Sequence, residues 1–343
     1  MKKLKVLSLF SGIGAFEKAL ENLGIDYELI NYCDIDESAS KCYSAIHNIS
    51  EELNLWDVAT VNPEEIKNFD LLTHGSPCQS FSINGKQTGG KKGSGTVSSL
   101  LWETVRIIKD KRPKYVVWEN VKNSLSTKHK PVVDEYIQTL NSFGYSSFLP
   151  PKGYLTATGF GIPQKRDRVF IVSILNYSNK FEFPKPRKLK EKEDLKYFIT
   201  FREKDNITQN FVKRYNEIHN TNITGDQFID FVEKLPESRG CGNKNLGLYN
   251  FDELNRVTTS YGICPTFTCR GVQNYCTKFL YNRKIYKPSP RMCWRLMGFT
   301  DEDYSNCRTF STDKELWDRA GNSIVVNIVE EIFKNLLKEY TSN

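Results

Sequence analysis

The sequence has little that would mark it as a membrane, secreted or metal-dependent protein. Its 343 residues contain no uninterrupted apolar stretch long enough to span a bilayer. The basic start, MKKLKVLSLFSGIG, is broken by Ser8, Ser11 and Gly12, and no A-x-A-like cleavage site follows before Glu17. None of the nine cysteines forms a C-x-x-C pair, which disfavours a structural zinc site. We therefore expect a cytoplasmic protein with reduced thiols and no bound metal.

The composition is that of an ordinary soluble globular protein, with 39% hydrophobic and 26% charged residues. A formal net charge of +7 permits a polyanionic partner such as nucleic acid without requiring one. Strand and helix patterns alternate over residues 1–175, which favours a doubly wound α/β sheet. Residues 177–280 show no such alternation and are interpreted as a smaller, irregular domain. Helical patterns return from Pro290 onward, and the chain contains no internal repeat.

The first chemistry-bearing motif is LSLFSGIGAFE, a strand followed by a glycine-rich turn and a helix. Gly12 and Gly14 let the backbone approach a ligand, although Glu17 stands where a dinucleotide fingerprint has its third glycine. Asp34 ends the next strand, where an acid binds ribose hydroxyls, and Asp57 lies where it can contact an adenine amino group. The pattern suits S-adenosylmethionine as well as a dinucleotide, or simply a tight turn with capping acids.

The second motif is GSPCQSFS, in which Pro77 stiffens the turn before Cys78. The next segment, 83–96, carries five glycines and three lysines and almost nothing apolar. It is interpreted either as a lid that closes over an anionic substrate or as a solvated linker beside a buried, inert cysteine.

Three further motifs lie downstream. Glu119 ends the buried strand KYVVWEN, where sites of α/β proteins gather. In GFGIPQKRDRVFIV the alternation places Gln164, Arg166 and Arg168 on one side of a strand, where guanidinium groups could bind a base carbonyl or a phosphate. A Gly-Asn-Ser turn precedes the apolar C-terminal helix, and we expect Asn322 or Ser323 to cap it.

Together, in chain order, FSGIG, an acid after the second strand, PCQ, ENV, QxRxR, RLMGF and GNS resemble the DNA cytosine-5 methyltransferases of bacterial restriction–modification systems and phages. The resemblance implies a Rossmann-like, S-adenosylmethionine-dependent methyltransferase sheet with a smaller, irregular target recognition domain. It implies a catalytic and cofactor-binding domain at 1–176, a target recognition domain at 177–282, and a C-terminal segment at 283–343 that returns to the catalytic domain.

The resemblance also implies roles for residues. Cys78 would add to C6 of a cytosine flipped out of double-stranded DNA, Glu119 would act at N3, and Arg168 would hold the C2 carbonyl, with Arg166 in support. The cofactor-binding residues would be Phe10, Gly12, Gly14, Asp34, Ile35, Asp57, Val58, Pro77, Leu100, Asn322 and Ser323. The DNA-binding residues would be Gln79, Ser82, Asn84, Lys86, Lys91, Lys92, Gln164 and Thr266.

The sequence departs from the family pattern in supporting motifs. Met292 stands where many relatives have Glu, and the segment WDRA, Trp317–Ala320, replaces the more common lead into GNS. These two departures concern packing more than activity. In the expected target recognition domain, Thr266–Phe267 stands where relatives often have Thr-Leu, which supports that domain assignment.

Alternatives to this interpretation are a tRNA cytosine-5 methyltransferase on the same fold, a catalytically silent DNA-binding relative and, less in keeping with the motif set, an NAD oxidoreductase. The resemblance further implies a monomer that protects DNA from restriction, with any cognate endonuclease acting separately.

Overall fold

The computed structural model describes residues 3–77, 97–238, 243–249, 255–266 and 277–340. The strands are β1 (Leu4–Leu9), β2 (Tyr27–Cys33), β3 (Leu71–His74), β4 (Tyr115–Val121), β5 (Tyr145–Phe148), β6 (Leu155–Thr156), β7 (Gln164–Lys165), β8 (Asp167–Leu175), β9 (Glu237–Ser238), β10 (Asn243–Asn245), β11 (Arg256–Thr259), β12 (Cys264–Pro265), β13 (Lys278–Tyr281) and β14 (Lys284–Tyr286). The α-helices are α1 (Ala15–Asn22), α2 (Glu37–His47), α3 (Leu101–Lys111), α4 (Lys130–Ser142), α5 (Thr208–His219), α6 (Gly225–Lys234), α7 (Pro290–Arg295), α8 (Asp301–Arg308), α9 (Asp313–Asn322) and α10 (Val326–Leu336).

Backbone contacts divide the chain into two compact units. The first consists of Met1–Thr156, Asp167–Pro186 and Ile324–Asn343, and the second of Ala157–Arg166 and Arg187–Ser323. The functional boundaries expected at 176/177 and 282/283 stay a prediction, because contact density does not report which residues bind DNA. Among the described residues no helix is long and apolar enough to cross a membrane.

The first unit is built on a sheet with the strand order β2-β1-β3-β4-β8-β5, in which β6 also pairs with β8. The first four strands are mutually parallel, whereas β8 runs antiparallel to β4 and to β5. The continuous apolar run in KYVVWEN becomes the buried strand β4, as expected for a strand covered on both faces. One face packs against α3 and α4 through side chains such as Ile108, Val133 and Tyr136. Against α1 lies α10, with the rings of Phe16 and Phe333 6.2 Å apart.

The second unit has its own small sheet, ordered β14-β13-β11-β10-β9, and a separate pairing of β7 with β12. The region that shows no strand–helix alternation in the sequence also contains α5 and α6, which share an apolar cluster that includes Phe211, Phe228 and Val257. Helix α6 begins with a capping box between Thr224 and Gln227. The strands β9 to β14 of the second unit are two to four residues long, which is too short for an alternation of apolar and polar residues to stand out in the sequence. The helices predicted after Pro290 are present as α7, α8, α9 and α10.

Candidate active site

The predicted site residues of the first unit gather at one edge of its sheet. The turn after β1 carries Phe10 to Gly14, Asp34 follows β2, Gly75 to Pro77 follow β3, and Glu119 lies near the end of β4. Because these four strands are parallel, their carboxyl ends meet at the same edge, where α/β proteins bind ligands.

The glycine-rich turn has left-handed backbone at three of its residues, Phe10, Gly12 and Gly14. A Cβ added to Gly12 would meet no atom within 4 Å, so this part of the turn borders open space that a ligand can enter. A Cβ added to Gly14 would instead lie 2.1 Å from Nε2 of His47. The two glycines therefore do different work: Gly14 allows close packing behind the turn, and Gly12 leaves its outer side open.

Asp34 is fixed by backbone donors on both of its carboxylate oxygens. Gly12 N–H donates to Oδ2 at 2.8 Å and Asp36 N–H donates to Oδ1 at 3.0 Å. The next side chain, Ile35, is 73% exposed. A carboxylate beside an exposed apolar side chain and an open glycine turn fits a nucleoside, whose ribose offers hydroxyl donors and whose base offers an apolar face. The Asp34 carboxylate, the Ile35 side chain and the open turn at Gly12 thus fit the adenosine half of S-adenosylmethionine.

Asp57 shapes its own turn, since its Oδ1 accepts from Ala59 N–H at 2.9 Å. Burial, and then the negative charges of Asp34 and Asp57, raise the pKa of the Cys33 thiol to about 12. Both predicted acids are therefore near enough to act electrostatically on one buried side chain. Val58 is buried, whereas Leu100 is half-buried against the core.

The turn before Cys78 is held by two side chains of the neighbouring strand β4. Trp118 Nε1–H donates to Ser76 Oγ at 2.8 Å, and Asn120 Nδ2–H donates to the Ser76 carbonyl at 3.0 Å. Pro77 follows and is half-buried. Seven predicted residues lie outside the described part of the chain: Cys78, Gln79, Ser82, Asn84, Lys86, Lys91 and Lys92.

Glu119 and Arg168 form an ion pair beside this turn. Arg168 Nε lies 3.0 Å from Glu119 Oε1, and the two side chains are 13% and 11% exposed. The antiparallel register pairs Val121 with Arg168, which brings the start of β8 to the end of β4. A Cβ added to Gly75 would lie 3.6 Å from Glu119 Oε2, so the carboxylate packs against the backbone that leads to Cys78.

In the second unit, Arg166 is 1% exposed, and its guanidinium donates to the carbonyls of Gly321 at 2.9 Å and Ser323 at 2.7 Å. Gln164 is buried, and its Nε2–H donates to the Leu296 carbonyl at 2.9 Å. The QxRxR, RLMGF and GNS motifs are thus joined by hydrogen bonds within this unit. Their predicted catalytic, cofactor-binding and DNA-binding roles stay predictions.

Two other residues of the second unit complete the account. Thr266 Oγ1 donates to the Lys165 carbonyl, and its DNA-binding role also stays a prediction. Met292, which departs from the family pattern, is fully buried in α7.

The expected helix cap is wrong. Asn322 is the last residue of α9, Ser323 is the C-cap of that helix, and the N-cap position of α10 is Val325, which makes no side-chain capping bond. The carbonyl of Ser323 accepts a hydrogen bond from Arg166, so a buried guanidinium stabilises this turn.

The sequence interpretation missed two residues beside the predicted acids. Asn54 is buried and hydrogen-bonded to the backbone of Asp34, and Trp56 has left-handed backbone and an exposed indole. The only sequence signal was a tryptophan directly before a predicted cofactor-binding acid. Within the described ranges, no group of three or more His, Cys, Asp or Glu side chains is arranged to hold a metal ion.

Comparison with known proteins supports the family resemblance of the sequence motifs. The family described as C-5 cytosine-specific DNA methylase matches residues 4–338. The orphan methyltransferase M.SPBetaI of Bacillus phage SPbeta is 29% identical over 100% of this chain and 99% of its own. The type II methyltransferase M.HhaI of Haemophilus parahaemolyticus is 30% identical over 97% of this chain and 94% of its own. The crystal structure of the S. pombe Dnmt2 methyltransferase matches with a TM-score of 0.71 at 18% identity, over 98% and 99% of the two chains, and confirms the predicted fold.

Proposed function

The chain belongs to the C-5 cytosine-specific DNA methylase family, and on that premise we propose that it methylates C5 of a cytosine in double-stranded DNA. Members of this family use S-adenosylmethionine as methyl donor. The observation that carries the proposal is the Glu119–Arg168 ion pair, packed against the backbone of the turn that leads to Cys78.

S-adenosylmethionine, when bound, supplies an electrophilic methyl group. The open side of the turn at Gly12, the carboxylate of Asp34 and the exposed side chain of Ile35 would hold its adenosine half. Phe10, Gly14, Asp57, Val58, Pro77, Leu100, Asn322 and Ser323 are proposed as further cofactor-binding residues.

Cys78 is the proposed nucleophile. Its thiolate forms a bond to C6 of cytosine, and the electron pair of the C5–C6 double bond moves into the ring, which makes C5 nucleophilic. Glu119 takes up a proton for this step, donates it to N3, where the negative charge accumulates, and recovers it when the product forms. Arg168 orients Glu119 and binds the C2 carbonyl. Once C5 carries the methyl group, loss of the C5 proton to a base breaks the S–C6 bond and returns the thiolate.

A stacked cytosine does not expose C6 to a protein thiolate, so the base must leave the helix. We propose that Asn84 fills the gap that the base leaves and that Lys86, Lys91 and Lys92 contact phosphates. We further propose that the enzyme is a cytoplasmic monomer that protects DNA from restriction. Any cognate endonuclease would be a separate protein.

The test is covalent trapping on duplex DNA that contains 5-fluorocytosine, in the presence of S-adenosylmethionine. Fluorine at C5 cannot leave as a proton, so the S–C6 bond persists and the complex survives denaturing electrophoresis. Wild type should be trapped, and Cys78→Ala should not. Arg168→Ala should slow trapping by about 10²–10³-fold, the effect of removing one preorganised electrostatic contact.

Asp167→Asn is the matched control, because it breaks the adjacent ion pair with Lys122 (3.0 Å) and leaves Arg168 in place. It should be trapped at the wild-type rate. Methylation of tRNA without trapping on DNA would assign the enzyme to RNA instead. Binding of DNA without reaction on either substrate would identify a silent DNA-binding relative.

A further inference from the structure

Asn54 lies between the two acidic turns of the cofactor site and is only 6% exposed. Its Oδ1 accepts from the N–H groups of Asp34 at 3.1 Å and Trp56 at 2.9 Å. Its Nδ2 donates to the Asp34 carbonyl at 3.0 Å and to Ser40 Oγ at 3.2 Å. A side-chain amide has two donor hydrogens and an oxygen that accepts two bonds, so this one residue uses its full capacity.

These bonds hold the backbone of Asp34 from both sides, since its N–H and its carbonyl bind the same amide. The carboxylate of Asp34 is then oriented by Gly12 N–H and Asp36 N–H. Asn54 therefore determines where the backbone of Asp34 lies, and the two N–H donors determine which way its carboxylate points.

Trp56, on the other side of Asn54, is the second element of this arrangement. Its φ is +59°, a left-handed conformation that a bulky side chain rarely adopts. The strain is held in place by two bonds, from Trp56 N–H to Asn54 Oδ1 and from Cys33 Sγ–H to the Trp56 carbonyl at 3.0 Å. The indole is 41% exposed, directly before Asp57. A strained backbone that is fixed on both sides and leaves an aromatic ring in solvent is typical of a ligand-binding position.

We propose that Asn54 is a positioning residue that keeps Asp34 and Trp56 in one adenosine-binding surface, and that the Trp56 indole packs against the adenine ring of S-adenosylmethionine. Ile35, which directly follows Asp34 in the sequence, is a further exposed apolar side chain. The proposal rests on the cofactor use of the family and not on the identity of the methylated base. It can therefore be tested without DNA.

The probe is S-adenosylhomocysteine, titrated calorimetrically into the full chain in the absence of DNA. Asn54→Ala should raise Kd about tenfold, because Asp34 and Trp56 lose their common support. Trp56→Leu should raise Kd about tenfold or more, since base–aromatic stacking is worth roughly 1–3 kcal/mol and tenfold corresponds to about 1.4 kcal/mol. Trp56→Phe, which keeps an aromatic ring, should recover most of the affinity.

Asn31→Ala is the matched control. Asn31 Nδ2–H donates to the Leu53 carbonyl at 3.1 Å, so it supports the same segment through a residue other than Asp34 or Trp56. Its Kd should stay within about twofold of wild type. The quenching of tryptophan fluorescence by S-adenosylhomocysteine should be present in wild type and Asn31→Ala and absent in Trp56→Leu.

Adenosine alone supplies the decisive comparison, because Trp56 is proposed to contact the base and not the amino-acid half. Trp56→Leu should raise the Kd for adenosine and the Kd for S-adenosylhomocysteine by the same factor. A raised Kd for S-adenosylhomocysteine alone would overturn the proposed contact between Trp56 and adenine. Asn54→Ala with a lower melting temperature and an unchanged Kd would reduce Asn54 to a structural residue.

If Asn54→Ala does not fold, Trp56→Leu, whose side chain is exposed, still tests the surface. Wild type that fails to bind S-adenosylhomocysteine would overturn the cofactor assignment itself, whereas wild type that binds it but traps no 5-fluorocytosine DNA would overturn only the proposed reaction.

Discussion

Gly14→Ala should destabilise the protein far more than Gly12→Ala, although both glycines lie in the same turn and both have left-handed backbone, with φ of +76° and +56°. The difference is the space around them. A Cβ on Gly12 meets nothing within 4 Å, whereas a Cβ on Gly14 would lie 2.1 Å from His47 Nε2 and 2.9 Å from Tyr43 Cε2. Gly12→Ala is therefore the control that isolates the backbone cost.

The backbone cost of a left-handed residue with a Cβ is about 1–2 kcal/mol for either substitution. Gly14→Ala must also displace the buried His47 ring, which lies 3.1 Å from the Ile13 carbonyl and 2.6 Å from Glu21 Oε1. Losing one neutral hydrogen bond and one to a carboxylate costs about 0.5–1.5 and 1.5–3 kcal/mol. We expect Gly12→Ala to lower the free energy of unfolding by about 1–2 kcal/mol and Gly14→Ala by about 3–6 kcal/mol.

Urea unfolding of the ligand-free protein, followed by tryptophan fluorescence, measures both costs, provided that the slope with urea is unchanged. The double variant Gly14→Ala/His47→Ala adds a second test. Removing the ring relieves the clash, so the two substitutions should be strongly non-additive. Equal costs for Gly12→Ala and Gly14→Ala, or additive costs in the double variant, would refute this account of the turn.

Three further outcomes are expected. Burial lowers the pKa of His74 to about 3, below the value of about 6.5 for an unfolded histidine, so the unfolded chain binds an extra proton between those values. Stability should fall as pH falls through that window, and His74→Phe should flatten this slope in urea unfolding; an unchanged slope would contradict it. Cys33, with its raised pKa, should resist iodoacetamide in the native protein at neutral pH and react after unfolding, as read by peptide mass spectrometry. Trp118→Phe should lower the free energy of unfolding by about 1 kcal/mol and slow 5-fluorocytosine trapping. Ser76→Ala introduced into Trp118→Phe should lower the free energy of unfolding little further, because both substitutions remove the same hydrogen bond.

The parts of the fold and site that could be predicted from sequence are those that local patterns specify. The strand YELINYC is observed as Tyr27–Cys33, and Asp34 follows it as expected. KYVVWEN is a buried strand with Glu119 near its end, because a continuous apolar run bounded by polar residues fits a strand covered on both faces. The placement of Gln164, Arg166 and Arg168 on one strand is wrong, because Gln164 lies in β7 and Arg168 in β8. The expected position of Arg168 near the start of a strand is confirmed, and its side chain pairs with Glu119.

The parts that could not be predicted depend on contacts between distant segments. Asn54 lies in a stretch without periodicity, and its role comes from hydrogen bonds to a backbone 20 residues earlier. The left-handed backbone of Trp56 has no sequence signal, since glycine and asparagine are the residues that usually mark it. Ser323 resembled a helix cap because small polar residues favour that position, but a buried arginine binds the turn instead.

The direction of β8 is the feature of the sheet on which the Glu119–Arg168 ion pair depends. Glu119 comes near the end of β4, and Arg168 from the beginning of β8, and the two meet because the strands are antiparallel. Had β8 run parallel to β4 with the starts of the two strands aligned, Arg168 would lie beside Val116, three residues or about 10 Å from Glu119. An acid that ends one buried strand and an arginine that begins the next long one can therefore act together only if the second strand is reversed. The ion pair therefore depends on one antiparallel strand in a sheet that the sequence pattern predicts only as doubly wound.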